Sequence, residues 1–473
     1  MTTNHQTFGK FSFPICFAAI AGLLATGCTT YQHQNQVIQY WKQGNVPAAA
    51  AEATRMADAN ADNKDTVIWR LEQGATLRAS GKFDDSNKAF DAAQEKIDQY
   101  EEAAKVHVGR ETGALLSNQA ELPYEGRAYD GIMLNSYEAL NYLSLGEPDK
   151  ARVELIRAYQ RQQDAVEDNR RRIEKVQEQA DQNKDKGVMD RAQQDPKFQG
   201  QVQGAYANLD EAKTYANYVN PLTVYLDGLF FMANAADASD LERAHKSFER
   251  VESFTADNEF IKQDLAALDG LMNGKPLTPV TYIIFETGCA PVRDQIRIDI
   301  PIIVTKVSYI GAAFPVLKIG DNHVPALTVT ANGESKTTAL LSSMDSVIAL
   351  DFKNELPVII TKTVASAVVK GVAAYAVNDA AANQNPFGGL IAQIGTAGYQ
   401  MAVNVADTRT WTTLPKEFQF CRISTPPDRK IELSTPDGSQ KTSVTIGDGI
   451  VNLVYVKSIN AGTPLLATQM KLK

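Results

Sequence analysis

Clustered histidine and cysteine are missing from this chain. Its five histidines in 473 residues are scattered with no HExxH arrangement, and its four cysteines form no CxxC pair. No metal centre is expected, because such sites need nitrogen and sulfur ligands at fixed spacing. A GxSxG elbow is also absent. Gly447-Asp448-Gly449 lacks the third glycine and the following helix of a dinucleotide loop, so no cofactor is expected. Long basic runs are lacking too. Arg170-Arg171-Arg172 is the densest basic spot, and the net charge is -9. Phosphate backbones require a concentrated cationic face, which argues against nucleic acid as a partner. Carboxylates are plentiful but form no recognisable spaced pair, although a Glu–Asp glycosidase site needs only to meet in space.

What is present begins with an address. Lys10 precedes an apolar run from Phe11 to Leu24, too short for a comfortable membrane span. Leu24-Ala25-Thr26-Gly27-Cys28 then resembles the lipobox of bacterial lipoproteins. The resemblance implies a signal peptide over residues 1–27, lipidation of the Cys28 thiol and acylation of its new amine. A plain secretory signal is the alternative. In Gram-negative lipoproteins an Asp after the cysteine favours inner-membrane retention. Thr29 in that place implies the outer membrane, on its periplasmic face. Cys289 and Cys421 remain as an even pair in an oxidising compartment, so a disulfide between them is expected; two separate buried thiols are the alternative.

The fold class read from hydrophobic period is α+β. Residues 28–272 read as a helical repeat domain, and 276–473 as a β-rich domain after the breakers Asn273, Gly274 and Pro276. The stretch WRLEQGATLRASGKFDDSNKAFDAA, Trp69 to Ala93, reads as two antiparallel helices. Gly74 and Leu77 lie on the first, Gly81 and Phe83 at the turn, and Phe90 and Ala93 on the second. This spacing resembles the tetratricopeptide (TPR) repeat, a unit that buries its apolar face only by stacking on others. Gly44 closes a degenerate first copy. Tyr142, Gly146 and Ala151 mark a third, and Gly228, Ala244 and Phe248 a last. The concave surface of such an array is expected to receive a protein or peptide.

Two insertions interrupt the helical half. LPYEGRAYDG, Leu122 to Gly131, reads as an ordered loop containing Tyr124, Arg127 and Tyr129. It is either a recognition site or a wedge between repeats. Residues 160–219 read as a long charged helical hairpin projecting from the array, either a partner-binding arm or a solvated spacer.

In the β half, TPVTYIIFE reads as a buried strand. Asn332-Gly333 and Pro436-Asp437-Gly438 are hairpin turns, and six to eight strands form an antiparallel sheet or sandwich. Residues 361–406 read as an inserted Ala/Gly-rich helical hairpin. Three roles compete for it: a buried layer, a membrane-docking element or an oligomer interface. ADTRTWTTLP follows. Its Arg409 and Trp411 would either stack on glycan or make a structural corner.

The lipobox, YEALNYLSLG, TYIIFETGCAP with IRIDIPI, and the segment from Asp407 to Pro415 together resemble an uncharacterised family of Gram-negative outer-membrane lipoproteins. That family combines TPR-like repeats with a C-terminal β-rich domain. The resemblance implies an envelope role beside the peptidoglycan synthesis machinery. The expected function is a non-enzymatic scaffold. It would be anchored in outer-membrane lipid through Cys28 and would bind envelope proteins through the repeat surface. An envelope enzyme or regulator acting on peptidoglycan or lipopolysaccharide, and a transport or pore accessory using the apolar hairpin, are the alternatives.

Overall fold

The computed structural model describes residues 36–106, 119–183, 185–211, 215, 218–255, 258–304, 307–384 and 405–473. The fold is α+β. Helices α1 (Val46–Ala59), α2 (Thr66–Ala79) and α3 (Phe83–Val106) follow one another through short turns. Then come the pairs α4 (Ala128–Leu145) with α5 (Pro148–Asp181) and α8 (Pro221–Ala233) with α9 (Ala238–Phe254), closed by α10 (Glu259–Met272). Local chemistry starts them. Asn45, Asn220 and Asn258 accept the first free backbone N–H groups of α1, α8 and α10, and Asp237 does so for α9. Proline opens α5 and α8, where its missing N–H costs nothing. Gly146 ends α4 at φ 74° and Gly81 turns at φ 73°, a region that side chains with a Cβ avoid.

Two of the pairs, α2 with α3 and α8 with α9, close on a glycine against an aromatic ring. A Cβ on Gly74 would lie 2.3 Å from the Phe90 ring, and one on Gly228 would lie 2.8 Å from Phe248. Leu77, Ala93, Ala151 and Ala244 are buried with them, while Phe83 and Tyr142 are half-buried. Gly44, at φ 72°, packs instead against Thr463 near the C-terminus.

The central sheet has the order β11-β10-β1-β7-β6: β1 (Val280–Thr287), β6 (Ala339–Ser343), β7 (Glu417–Ser424), β10 (Val451–Ser458) and β11 (Leu466–Lys471). It corrects the antiparallel expectation, because β1 and β10 run parallel from Val280 opposite Val451 to Thr287 opposite Ser458. Both strands are buried along their whole length, as parallel strands covered on both faces usually are. The remaining strands form a ribbon, β2 (Val292–Val304) with β3 (Val307–Lys318), and a four-stranded antiparallel sheet. That sheet is ordered β5 (Glu334–Thr337), β4 (Thr328–Ala331), β8 (Lys430–Ser434), β9 (Lys441–Thr445). Eleven strands are thus present among the described residues, not six to eight. Asn332 (φ 51°) and Gly333 (φ 80°) make the β4–β5 turn, and Pro436-Asp437-Gly438 lies between β8 and β9.

The helical and β halves do not sit apart. One hydrophobic core runs from Val37 to Leu472. The whole of α8 and nearly all of α2 and α4 are buried, with sheet residues on their inner side. Tyr225 of α8 meets Phe420 of β7 at 4.8 Å between rings. The inner face, where a repeat array would receive a peptide, is therefore filled by the chain's own sheet.

Two further expectations change. The arm at 160–219 is not a free projection. The far end of α5, α6 (Lys186–Gln194) and α7 (Pro196–Tyr206) bury Val176, Met189, Ala192 and Phe198 against the β2–β3 ribbon and α11. Helix α11 spans Met344–Gln384, 41 residues, so the element expected from 361 begins seventeen residues earlier and passes through Pro357. Proline removes one backbone donor and argues locally for a break, yet packing on α5 and β3 carries the helix through it. Its second arm, expected over 387–406, lies outside the described residues up to 404. No helix among the described residues is long and apolar enough to cross a membrane.

Cys289 and Cys421 are both free. Cys421 pairs with Ile283 across β1 and β7, while Cys289 lies six residues further along, roughly 20 Å away at strand rise. A disulfide needs Cα atoms within ~7 Å. The expected bridge is therefore replaced by two separate thiols. Thiol counting on the denatured protein should return the same number for this pair with and without reductant. Gly74→Ala and Gly228→Ala should each destabilise the fold by about 1–3 kcal/mol in urea titrations, because the added methyl overlaps a buried ring.

Candidate functional site

The segment from Asp407 to Pro415 joins the two halves. Glu72 on α2 is fully buried and accepts from the Thr412 backbone N–H (2.6 Å), the Thr412 hydroxyl (2.5 Å) and the Thr413 hydroxyl (2.7 Å). Burial raises the Glu72 carboxyl to about 6 despite those donors. Trp411 is buried edge-on to Phe90 and Tyr137, and its indole N–H donates to Thr413. Arg409 bonds Asp407 and Asp65, and its remaining donors reach the carbonyls of Lys64 and Gln119. Both residues thus form a structural corner, which excludes an exposed Trp–Arg platform for glycan.

The loop at 119–127 packs against this corner and makes one wall of a cleft. The other walls come from α5, the β2–β3 ribbon, α11 and residues 405–407, and the interior volume is about 130 Å³. At its inner end Glu355 is gripped by Arg293 (2.6 Å), Arg127 (2.7 Å) and, from α5, Arg172 (3.6 Å). Burial alone would raise the Glu355 carboxyl; the three guanidiniums outweigh it and hold the group well below the usual carboxylate range. Asp351, one helical turn earlier on α11, has no such grip. Burial, and then the Glu355 charge, push it up to about 7. Asp130 accepts from the Tyr124 hydroxyl (2.5 Å) and the Arg127 N–H (2.9 Å), which fixes the loop to the start of α4. Lys362 and Lys370 of α11 also line the cleft, among the apolar side chains of Ile310, Val358, Ile359 and Ala367.

The structure brings together several residues that were singled out in the sequence. Tyr124 and Arg127 line the cleft. Arg409 holds the Asp407 that lines it, while Tyr129 and Trp411 sit in the core behind, Tyr129 3.5 Å from Thr410. The loop expected over 122–131 ends at Arg127, because Ala128 to Gly131 form the first turn of α4; the part that remains a loop is a wedge and a cleft wall at once. Arg293, Glu355 and Lys362 carried no local signal, and Lys370 reads in the sequence only as an interruption of an apolar run. Cys28 lies outside the described residues. Charged side chains of both signs line the cleft between its apolar walls, with Glu125, Glu355 and Asp407 among Arg127, Arg172, Arg293, Lys362 and Lys370. No family model, no curated protein and no solved structure matches the chain.

Glu72 titrates above the ordinary glutamate value, so its ionisation opposes folding. The stability it contributes is complete below about pH 4.5 and is lost as pH rises through about 6. Between pH 5 and pH 7 this amounts to about 1 kcal/mol. Unfolding free energies from urea titrations at both pH values should therefore differ less in Glu72→Gln than in the parent by about that amount. An unchanged difference would show that Glu72 does not titrate in this window.

Proposed function

We propose that the protein is a lipid-anchored scaffold of the Gram-negative cell envelope, held at the outer membrane through Cys28, that binds a protein partner on the outer side of its helical layer. The reading of the helix pairs as TPR-like units belongs to this proposal and is supported by the Gly74–Phe90 and Gly228–Phe248 contacts. The resemblance to uncharacterised outer-membrane lipoproteins belongs to it as well.

The observation that carries the proposal is on α5. One face of that helix buries Ala151, Leu155, Ala158 and Ala165. Its outward side leaves Val153, Ile156, Tyr159 and Val166 between 37% and 48% exposed. Four large apolar side chains over roughly 20 Å of one helix are a surface that water does not favour and a partner can cover. The Arg243 guanidinium lies 5.2 Å from the Tyr159 ring and adds a cation at its edge. Because the sheet fills the inner face, this outer stripe replaces the concave groove as the contact surface.

A photoreactive side chain placed at Ile156 should give one defined protein adduct in intact cells at native abundance. Ile156→Asp with Val166→Asp should remove the complex while changing stability by no more than about 0.5 kcal/mol per site. Absence of any specific adduct at native abundance would count decisively against the scaffold reading.

A further inference from the structure

We propose that one face of the protein lies directly on the lipid bilayer: the surface built from residues 40–45, 318–323 and 459–464. The inference rests on the lipid anchor at Cys28 and is independent of the partner surface on α5.

The tether comes first. Seven residues separate Cys28 from Gln36, and fully extended they span at most roughly 29 Å. No slack follows them, because Val37 and Trp41 are already buried in the body. The Asn460 side-chain amide donates to the Lys42 carbonyl (2.6 Å), and Gly44 packs on Thr463. The Ala461 N–H donates to the Asn322 side chain (3.3 Å), which joins the loop after β3 to the same face. A compact chain of this length is roughly 55 Å across. The acyl chains therefore stay on the side of the body where these three stretches meet, and the far side cannot reach the lipid.

The make-up of the face supplies the second argument. Ile319 is 47% exposed and Tyr40 36%. An apolar side chain and an aromatic ring with a polar tip both gain by settling among lipid headgroups. The charges of the face are Lys42, Lys318 with its partner Asp294, and Asp321, so it is close to neutral in a chain of net charge -9. Anionic headgroups repel the acidic remainder and tolerate this side. Ile450 gives the matched contrast. It is 45% exposed but stands before β10, whereas Asn460 stands after it. The eight residues of β10 put roughly 23 Å between those two ends. Apolar character alone would bring Ile319 and Ile450 to lipid equally; the tether favours Ile319.

The test uses the full-length acylated protein in vesicles of phosphatidylethanolamine and phosphatidylglycerol, some of whose headgroups carry a nitroxide quencher. A genetically encoded fluorescent side chain replaces Ile319, Gln43 or Ile450, one per protein. Emission at Ile319 and Gln43 should fall at least about twofold against quencher-free vesicles, while emission at Ile450 stays unchanged. Circular dichroism checks that each labelled protein is folded; if the Ile319 protein is not, the exposed Gln43 position takes its place. Intact mass reports the acyl chains on Cys28 separately. Acylated protein that keeps its emission at Ile319, or loses as much at Ile450, would overturn the orientation and leave the anchor standing. A Cys28 without acyl chains would overturn the anchor, and this inference with it.

Discussion

Three buried carboxylates hold the helical and β halves of this protein as one body. Glu72, Asp264 and Glu286 are each no more than 1% exposed. An ionised carboxylate in such a place survives only if donors surround it, and here each takes at least one donor from the opposite half. Glu72 takes Thr412 and Thr413. Asp264 on α10 takes the Tyr282 and Tyr225 hydroxyls at 2.9 Å, with Arg422 at 3.0 Å. Glu286 on β1 takes Tyr137 from α4 at 3.1 Å, together with Tyr455 and Lys457 of β10. Pulling the halves apart would strip Glu72 of its Thr412 and Thr413 donors, Asp264 of Tyr282 and Arg422, and Glu286 of Tyr137. Such pairs add little net stability, but breaking one by removing a single partner costs about 3–5 kcal/mol. They specify one docking of helices on sheet rather than many.

That docking decides what the molecule can offer a partner. The inner helices are consumed by the sheet, so the groove suggested by a repeat pattern is closed. Among the outward faces, that of α5 carries four exposed large apolar side chains. The same docking creates the cleft. Arg127 and Arg293 approach each other only because the loop before α4 and the start of the ribbon both rest on Glu355 of α11. The cleft is thus a by-product of the seam, lying where five separate stretches of chain meet.

Much of the local architecture was legible. Asn332-Gly333 demanded two residues at positive φ and has them. Gly74 and Phe90 were assigned to facing helices, and they touch. Trp411 was open to two readings, and burial against Phe90 and Tyr137 chose the corner. The arm from α5 to α7 looked solvated, because its charged faces dominate the pattern and its apolar seam is thin. Val176, Met189, Ala192 and Phe198 suffice to fasten it, since the β2–β3 ribbon and α11 supply the rest of the apolar contact.

By itself the sequence determined the elements governed by nearest neighbours: glycine turns, small-against-aromatic helix pairs, the hairpin turns and the α+β class. Tertiary structure alone decided the parallel pairing of β1 with β10, the separation of Cys289 from Cys421, the start of α11 at Met344 and the cluster around Glu355. The reason is range. A cap or a turn is settled within a few residues by backbone sterics and one hydrogen bond. The partner of a buried charge lies tens to hundreds of residues away, and only the closed core brings the two together.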